Sequence, residues 1–172
     1  MARQVIKYQT TTVDAVKSAG QIQGLVQRYG GTRCEIRWDN EGRVTGVRFA
    51  IRHDRFGEVP VRLRARTKTI EDVLWSKTSM GRDRCAAQAH RIAWRQLRDV
   101  VEQLLFAVDT GLFLPHEAFM SSVETEDPET GETLTWGELL ERHGSGGPGG
   151  LKLLASGSEP PVIEAVVIED DR

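Results

Sequence analysis

The fold of this chain is decided by residues 81–111, GRDRCAAQAHRIAWRQLRDVVEQLLFAVDTG. Apolar residues recur there every three or four positions, as in a helix that packs one side on a core. They are Cys85, Ala89, Ile92, Ala93, Leu97, Val100, Val101, Leu104, Leu105 and Val108. Gly111 follows the last of them, where a glycine can end a helix in a left-handed conformation. The pattern predicts one long helix over 82–110.

The opposite side of this helix is basic over its first four turns. It carries Arg84, Gln88, Arg91, Arg95 and Arg98. Trp94 falls between the apolar and basic sides, which indicates packing at the edge of the core.

Three segments before the helix alternate apolar and polar residues, which is the period of a strand with one buried face. They span 32–38, 43–52 and 59–66. Gly42, in the turn after the first segment, is suited to a positive φ. Pro60 cannot donate to a β-ladder, so the third strand is expected at a sheet edge. The order predicts a three-stranded antiparallel sheet, a β-meander, packed on the long helix.

Period two assigns the strand side chains to two faces. The apolar set is expected to face the helices: Cys34, Ile36, Trp38, Val47, Phe49, Ile51, Val59, Val61, Leu63 and Ala65. The opposite side carries seven arginines, called the arginine face below: Arg33, Arg37, Arg48, Arg52, Arg62, Arg64 and Arg66. Ala50 shares that side, and Glu35 is the single acidic residue interleaved. Because like charges on neighbouring strands repel, the pattern favours a bound anion.

The residue types narrow the choice of anion. The three strands contain no lysine, and the planar fork of arginine suits the oxygens of phosphate or carboxylate. No aromatic residue is expected to point outward, so the face is typical of a surface that follows a phosphate backbone with low sequence specificity. The predicted nucleic-acid-binding residues are the arginine face, extended by Arg91, Arg95 and Arg98. The alternative is a solvated face whose arginines form salt bridges to acidic residues of 111–172.

Further helices flank this unit. An N-terminal helix is predicted over 13–28, with Thr11 or Thr12 as its cap. A short helical segment is expected at 70–75, a helical turn at 116–120 and a polar loop at 121–133. Thr135 and Glu138 form the capping-box pattern that begins a short C-terminal helix, 136–143. The predicted fold class is therefore α+β, with one domain over residues 1–144.

Charge is distributed unevenly along the chain. Residues 1–110 contain 20 Lys and Arg and 12 Asp and Glu, whereas residues 111–172 contain 3 and 13. This asymmetry is typical of a polyanion-binding surface with an acidic tail. Two solvated faces that balance each other for solubility are the alternative.

The residues after 144 predict a linker and a tail. SGGPGG at 145–150 indicates a flexible linker, and 159–172 is apolar and acidic. Such a tail can fold back on the arginine face, add a strand to a partner's sheet edge, or have no role.

The chain offers no pattern for catalysis, metal binding or membrane insertion. Its four histidines stand far apart, and Cys34 and Cys85 form no C-x-x-C pair. Phosphate-binding-loop, nucleophile-elbow and zinc-protease motifs are absent from the sequence. No apolar run approaches the roughly 18 residues of a membrane helix, and the first residues lack the apolar stretch of a signal peptide. We therefore expect a non-catalytic protein without metal or cofactor, in a reducing cytoplasm.

The order helix, three antiparallel strands, long helix over about residues 13–110 resembles the core of single-strand annealing proteins of the Rad52 and Redβ type. Three segments also resemble small proteins encoded by phages and prophages: LVQRYGGT at 25–32, QAHRIAWRQL at 88–97 and GLFLPHEAF at 111–119. The first resemblance implies binding or annealing of single-stranded DNA in recombination. The second implies a phage or prophage setting, hence a bacterial host cytoplasm, and no catalytic activity.

These features predict a non-catalytic nucleic-acid-binding protein of phage or prophage DNA metabolism, with single-stranded DNA as the favoured partner. An exposed edge strand and a long helix also suit a homo-oligomer, and the tail suits a protein partner. The rival is a protein-interaction module, such as a phage-encoded inhibitor of a host system, whose arginines bind an acidic protein surface. A structural or assembly protein is a third alternative.

Overall fold

A computed structural model describes residues 6–54 and 57–143 of the 172-residue chain. The helices in those ranges are α1 (Ala15–Arg28), α2 (Lys68–Lys77), α3 (Arg82–Asp109), α4 (Pro115–Ala118) and α5 (Trp136–His143). The strands are β1 (Thr32–Trp38), β2 (Val44–His53), β3 (Gly57–Leu63), β4 (Glu124–Glu126) and β5 (Thr133–Thr135). A 3-10 turn covers Met120–Ser122.

The chain has an α+β fold, as the sequence predicts. β1, β2 and β3 form an antiparallel sheet in that order, so β3 lies at an edge as Pro60 indicates. α1 and α3 pack on the inner face of the sheet. The shared core includes Phe49 and Val61 from the sheet and Trp94 from α3. β3 ends at Leu63 instead of residue 66, because the chain leaves the sheet to begin α2.

α3 confirms the predicted long helix and its end. Gly111 has φ 72°, and the N–H groups of Gly111 and Leu112 donate to the carbonyls of Val108 at 3.0 Å and Ala107 at 2.9 Å. These two bonds are the Schellman arrangement, in which a left-handed glycine satisfies the last carbonyls. Trp94 is fully buried, whereas Val100 is largely exposed. The buried stripe is therefore centred closer to Trp94 than the spacing alone indicates.

The cap of α1 differs from the prediction. Asp14 caps the helix, since its Oδ1 accepts the N–H of Val16 at 2.9 Å. Thr11 instead accepts the N–H of Val13 at 3.2 Å, before the helix begins. The assignment of Thr11 or Thr12 as cap is wrong because α1 starts two residues later than expected.

Two strand residues depart from the predicted burial. Trp38 pairs with Val44 at the end of β1, after a register irregularity, and is 49% exposed. Ala50 was expected outward but is buried. Its cross-strand neighbours are Thr32 and Pro60, and a methyl group between them is too short to reach solvent.

Residues 115–143 wrap around the free edge of β3. Phe119 packs edge-to-face on Phe49 in the core, with ring centroids 5.7 Å apart. Val123 then forms an antiparallel bridge to Val61, and the chain continues onto the arginine face as β4, β5 and α5. The predicted polar loop at 121–133 is thus wrong in part, because β4 lies within it and pairs with β5. The predicted capping box of α5 is confirmed: Glu138 accepts the N–H of Thr135 at 2.9 Å, and Thr135 accepts that of Glu138 at 3.2 Å.

Candidate functional site

The centre of the arginine face is a three-residue ionic cluster. Arg48 and Arg62 are directly opposite each other on β2 and β3. Glu124, with a side chain only 4% exposed, accepts from Nε and Nη2 of Arg48 at 2.8 and 2.7 Å. Nε of Arg62 lies 3.7 Å from the other Glu124 oxygen. One buried carboxylate therefore offsets the repulsion between two neighbouring arginines.

A second carboxylate extends this cluster along β3. Glu138 of α5 contacts Nη2 of Arg62, and its Oε1 lies 3.0 Å from Nη1 of Arg64. Burial acts to raise the pKa of Glu138, but the hydrogen bond from the backbone of Thr135 and the charges of Arg62 and Arg64 outweigh it and lower the pKa. Glu138 thus caps α5 and fastens that helix to the sheet.

The outer pairs of the face are solvent-exposed. Arg66 pairs with Glu141, and Arg33 Nε lies 3.2 Å from Glu58 Oε2. Exposed pairs of this kind contribute about 0 to 1 kcal/mol. Arg33 itself has φ 53°, at a bulge in β1.

The arginine face is therefore not an uncompensated positive surface. Four of its members pair with carboxylates of residues 124–141, which is the alternative that the sequence left open: Arg48, Arg62, Arg64 and Arg66. The repulsion argument fails because the chain supplies its own anions from about 76 residues downstream, by a path that strand periodicity does not encode.

Part of the face stays open to solvent. Arg37 and Arg52 are exposed and form no ion pair with any residue in 6–54 or 57–143. Arg64 and Arg66 keep 60% and 82% of their side chains exposed despite their partners. Together with Ser121 and Ser122, these two arginines line a groove between β3 and α5. The accessible basic surface is thus a rim around the buried Arg48–Arg62 centre.

The three arginines of α3 do not join this rim. Arg91, Arg95 and Arg98 belong to the helical layer, which packs on the other side of the sheet. Arg95 donates to Gln21 at 2.9 Å and lies over the ring of Tyr8 at 5.5 Å. Arg91 donates to Gln88, and Arg98 donates to Glu102 at 2.6 Å. The predicted binding residues therefore form two separate groups.

The N-terminal segment before α1 covers the basic side of α3, which the sequence analysis missed. Asp99 accepts from Nζ of Lys7 at 2.9 Å and from the hydroxyl of Tyr8. Burial acts to raise the pKa of Asp99, but these bonds and one from Arg98 lower it to about 2. In the sequence, only the Lys7-Tyr8 pair upstream of the helix pointed to this contact, and the pair does not indicate which residue it binds.

A second local centre, also missed, fixes the β4–β5 hairpin. Asp127 is excluded from solvent and accepts the N–H of Glu129 at 2.9 Å and Nη1 of Arg142 at 2.8 Å. The hydrogen bond from Glu129, opposed by burial and aided by Arg142 and His143, lowers the pKa of Asp127 to about 2. The sequence indicated a turn at this point and not an ionic anchor.

Burial raises the pKa of the Cys34 thiol to about 11, so the thiol is protonated near neutral pH. Within the described ranges, no cluster of three or more His, Cys, Asp or Glu side chains could hold a metal ion. No helix there is long and apolar enough to cross a membrane.

Fold and site together define an α+β protein whose arginine face is partly neutralised by carboxylates of the same chain. Comparison with protein-family models, with curated proteins and with solved structures found no match.

Proposed function

We propose that this protein binds the phosphate backbone of nucleic acid without catalysing a reaction, and that single-stranded DNA is its favoured partner. The observation that carries the proposal is the rim of accessible arginines around the buried centre, Arg37, Arg52, Arg64 and Arg66, together with the exposed Arg33. The fork of each guanidinium suits two phosphate oxygens at once.

The exposed arginines can exchange their present partners for phosphate. Arg64 and Arg66 are paired in solvent, where an ion pair contributes little and is easily replaced. Arg62, with a side chain only 10% exposed, is held by two carboxylates and serves as an anchor for residues 124–138. Binding therefore uses the rim and leaves the buried centre intact.

Low sequence specificity follows from the same surface. Guanidinium groups on strands contact phosphates and carry no base-reading geometry. Such binding suits phage or prophage DNA metabolism of the single-strand binding or annealing type, in a bacterial host cytoplasm, as the sequence resemblances imply.

The test compares two charge-matched double variants in a fluorescence-anisotropy titration with a single-stranded oligonucleotide. Arg52→Gln with Arg66→Gln removes two rim charges, whereas Arg28→Gln with Arg84→Gln removes two exposed charges of the helical layer. The rim variant should bind about tenfold more weakly, and its log K against log salt slope should fall by about 0.7 per lost contact. The helical-layer variant should match the wild type. Equal losses in both variants would refute the assignment.

The rival function is binding of an acidic protein surface, and one observation favours it. The arginine face already accommodates acidic side chains of this chain's own α5, in Glu138 and Glu141. An acidic partner protein could present carboxylates to the rim in the same way. A wild-type protein that fails to bind any oligonucleotide at low salt, yet is retained on an acidic polypeptide, would replace the first function by this one.

A further inference from the structure

β1 presents the unprotected edge of the sheet. It pairs with β2 on one side, and no other strand in the described part of the chain pairs with its second side. The opposite edge, β3, is bridged at Val61 by Val123 and contains Pro60, which lacks a donor. An open edge leaves N–H and C=O groups ready for another strand.

The outward residues of β1 alternate in charge. Glu35 and Arg37 are both exposed, lie two residues apart on the outer face, and form no ion pair with any described residue. Five arginines of this face pair with carboxylates of the same chain, whereas among the described residues Arg37 and Arg52 do not, and of these two only Arg37 has an unpaired carboxylate two residues away on its own strand. Because β1 carries one negative and one positive side chain, the same strand running in the opposite direction presents the complementary order of charges.

We propose that a second copy of this chain occupies the edge, with the two β1 strands pairing antiparallel about a two-fold axis at Ile36. In this register Glu35 lies opposite Arg37 of the partner subunit, and Arg37 lies opposite Glu35 of the partner subunit. Directly opposed residues of an antiparallel pair lie on the same face, about 4.5 to 5.5 Å apart at Cβ, which suits an ion pair. The two sheets become one sheet of six strands.

The charges select this register over its neighbours. An axis at Glu35 or at Arg37 would place like charges directly opposite each other. An axis at Cys34 would oppose Glu35 with Arg33, whose φ of 53° takes it out of extended conformation and whose guanidinium already pairs with Glu58. The axis at Ile36 gives two opposite-charge pairs between residues that form no ion pair within the described part of the chain.

The same register accounts for the exposed tryptophan. Trp38, half exposed at the end of β1, lies opposite Cys34 of the partner subunit and is covered by the pairing. Because the axis is perpendicular to the sheet, the arginine faces of both copies lie on one side. The dimer does not depend on nucleic-acid binding and can be tested without it.

The test is sedimentation equilibrium of the full chain from about 5 to about 500 µM, since a strand-edge contact is smaller than a standard interface. Glu35→Arg and Arg37→Glu should each raise the dimer dissociation constant at least tenfold, because each opposes like charges. The double variant restores opposite charges across the axis and should return to within about threefold of the wild type. Arg84→Glu, an exposed charge reversal on α3, should leave dimerisation unchanged.

A cysteine at the axis gives a second measurement. Ile36→Cys in a Cys34→Ser background should form an intersubunit disulfide on oxidation, whereas Thr45→Cys in that background should not, because Thr45 lies on β2. A monomeric wild type over the whole range, a dimer indifferent to both charge reversals, a double variant no better than the single ones, or no cross-link at position 36 would each overturn the proposal.

Discussion

Arg48 and Arg62 lie directly opposite each other on neighbouring strands and share one buried carboxylate, that of Glu124. Two guanidinium groups in this position repel, so Glu124 fixes both the sheet and the segment that carries it. The pairing converts the centre of the arginine face into a structural element and leaves the rim for binding.

Removing the shared carboxylate should destabilise the protein. Glu124→Gln keeps the shape of the side chain but leaves Arg48 without a counter-charge and Arg62 with Glu138 alone, and we expect a loss of about 3 kcal/mol in the free energy of unfolding. Glu126→Gln, an exposed position in the same strand, should change it by less than about 0.5 kcal/mol. Urea unfolding of both variants measures the difference, and similar losses would contradict the role of Glu124.

Replacing Gly111, at the left-handed end of α3, and Gly24, within α1, by alanine should change the stability of the protein in opposite directions. Gly111→Ala forces a side chain into φ 72° and should cost about 1 to 2 kcal/mol. Gly24→Ala lies in α1, where an added Cβ meets no atom within 4 Å, and should stabilise the protein by about 0.5 to 1 kcal/mol. Thermal unfolding should therefore shift the two melting temperatures in opposite directions. A stabilised Gly111→Ala protein would exclude the helix end described here.

The anchor of the β4–β5 hairpin predicts an acid-dependent loss of stability. The pKa of Asp127 is lowered in the folded protein, from 3.8 to about 2, so its contribution is complete above pH 4 and is lost as the pH falls towards 2. The difference in unfolding free energy between wild type and Asp127→Asn should shrink across this window. Subtracting the variant isolates Asp127 from Asp99, whose pKa is lowered to a similar value. A difference that stays constant from pH 5 to pH 2 would contradict this account.

The acidic tail predicted at residues 159–172 lies outside the described residues. Its effect on nucleic-acid binding can be tested separately. If the acidic residues of 159–172 compete with nucleic acid for the rim, the linker makes this contact intramolecular and effective at low salt. Deletion of 145–172 should then tighten binding of a single-stranded oligonucleotide, most visibly at low salt. Unchanged or weaker binding after the deletion would leave partner recruitment as the role of the tail.

Local pattern was sufficient for most of the fold. The period of 3.6 located α3 to within one residue, and Gly111 and Gly42 take the positive φ values that their positions indicate. Period two separated Phe49 from Arg48 correctly, since alternation is a property of the extended backbone itself. Burial at the ends was less predictable, because Trp38 and Ala50 depend on what neighbouring elements cover.

The candidate site depended on contacts that no local pattern encodes. The sequence determined which arginines of β1, β2 and β3 share a face, since spacing along a strand sets the side of the sheet, whereas Arg64 and Arg66 follow the end of β3. Only the tertiary structure decided which of them stay accessible, because Glu124 and Glu138 reach Arg62 after the chain has wrapped around the edge of β3. It likewise placed Arg91, Arg95 and Arg98 beneath the N-terminal segment, on the far side of the sheet. Periodicity fixes a direction relative to the backbone, whereas an ion pair across 76 residues requires the path of the whole chain.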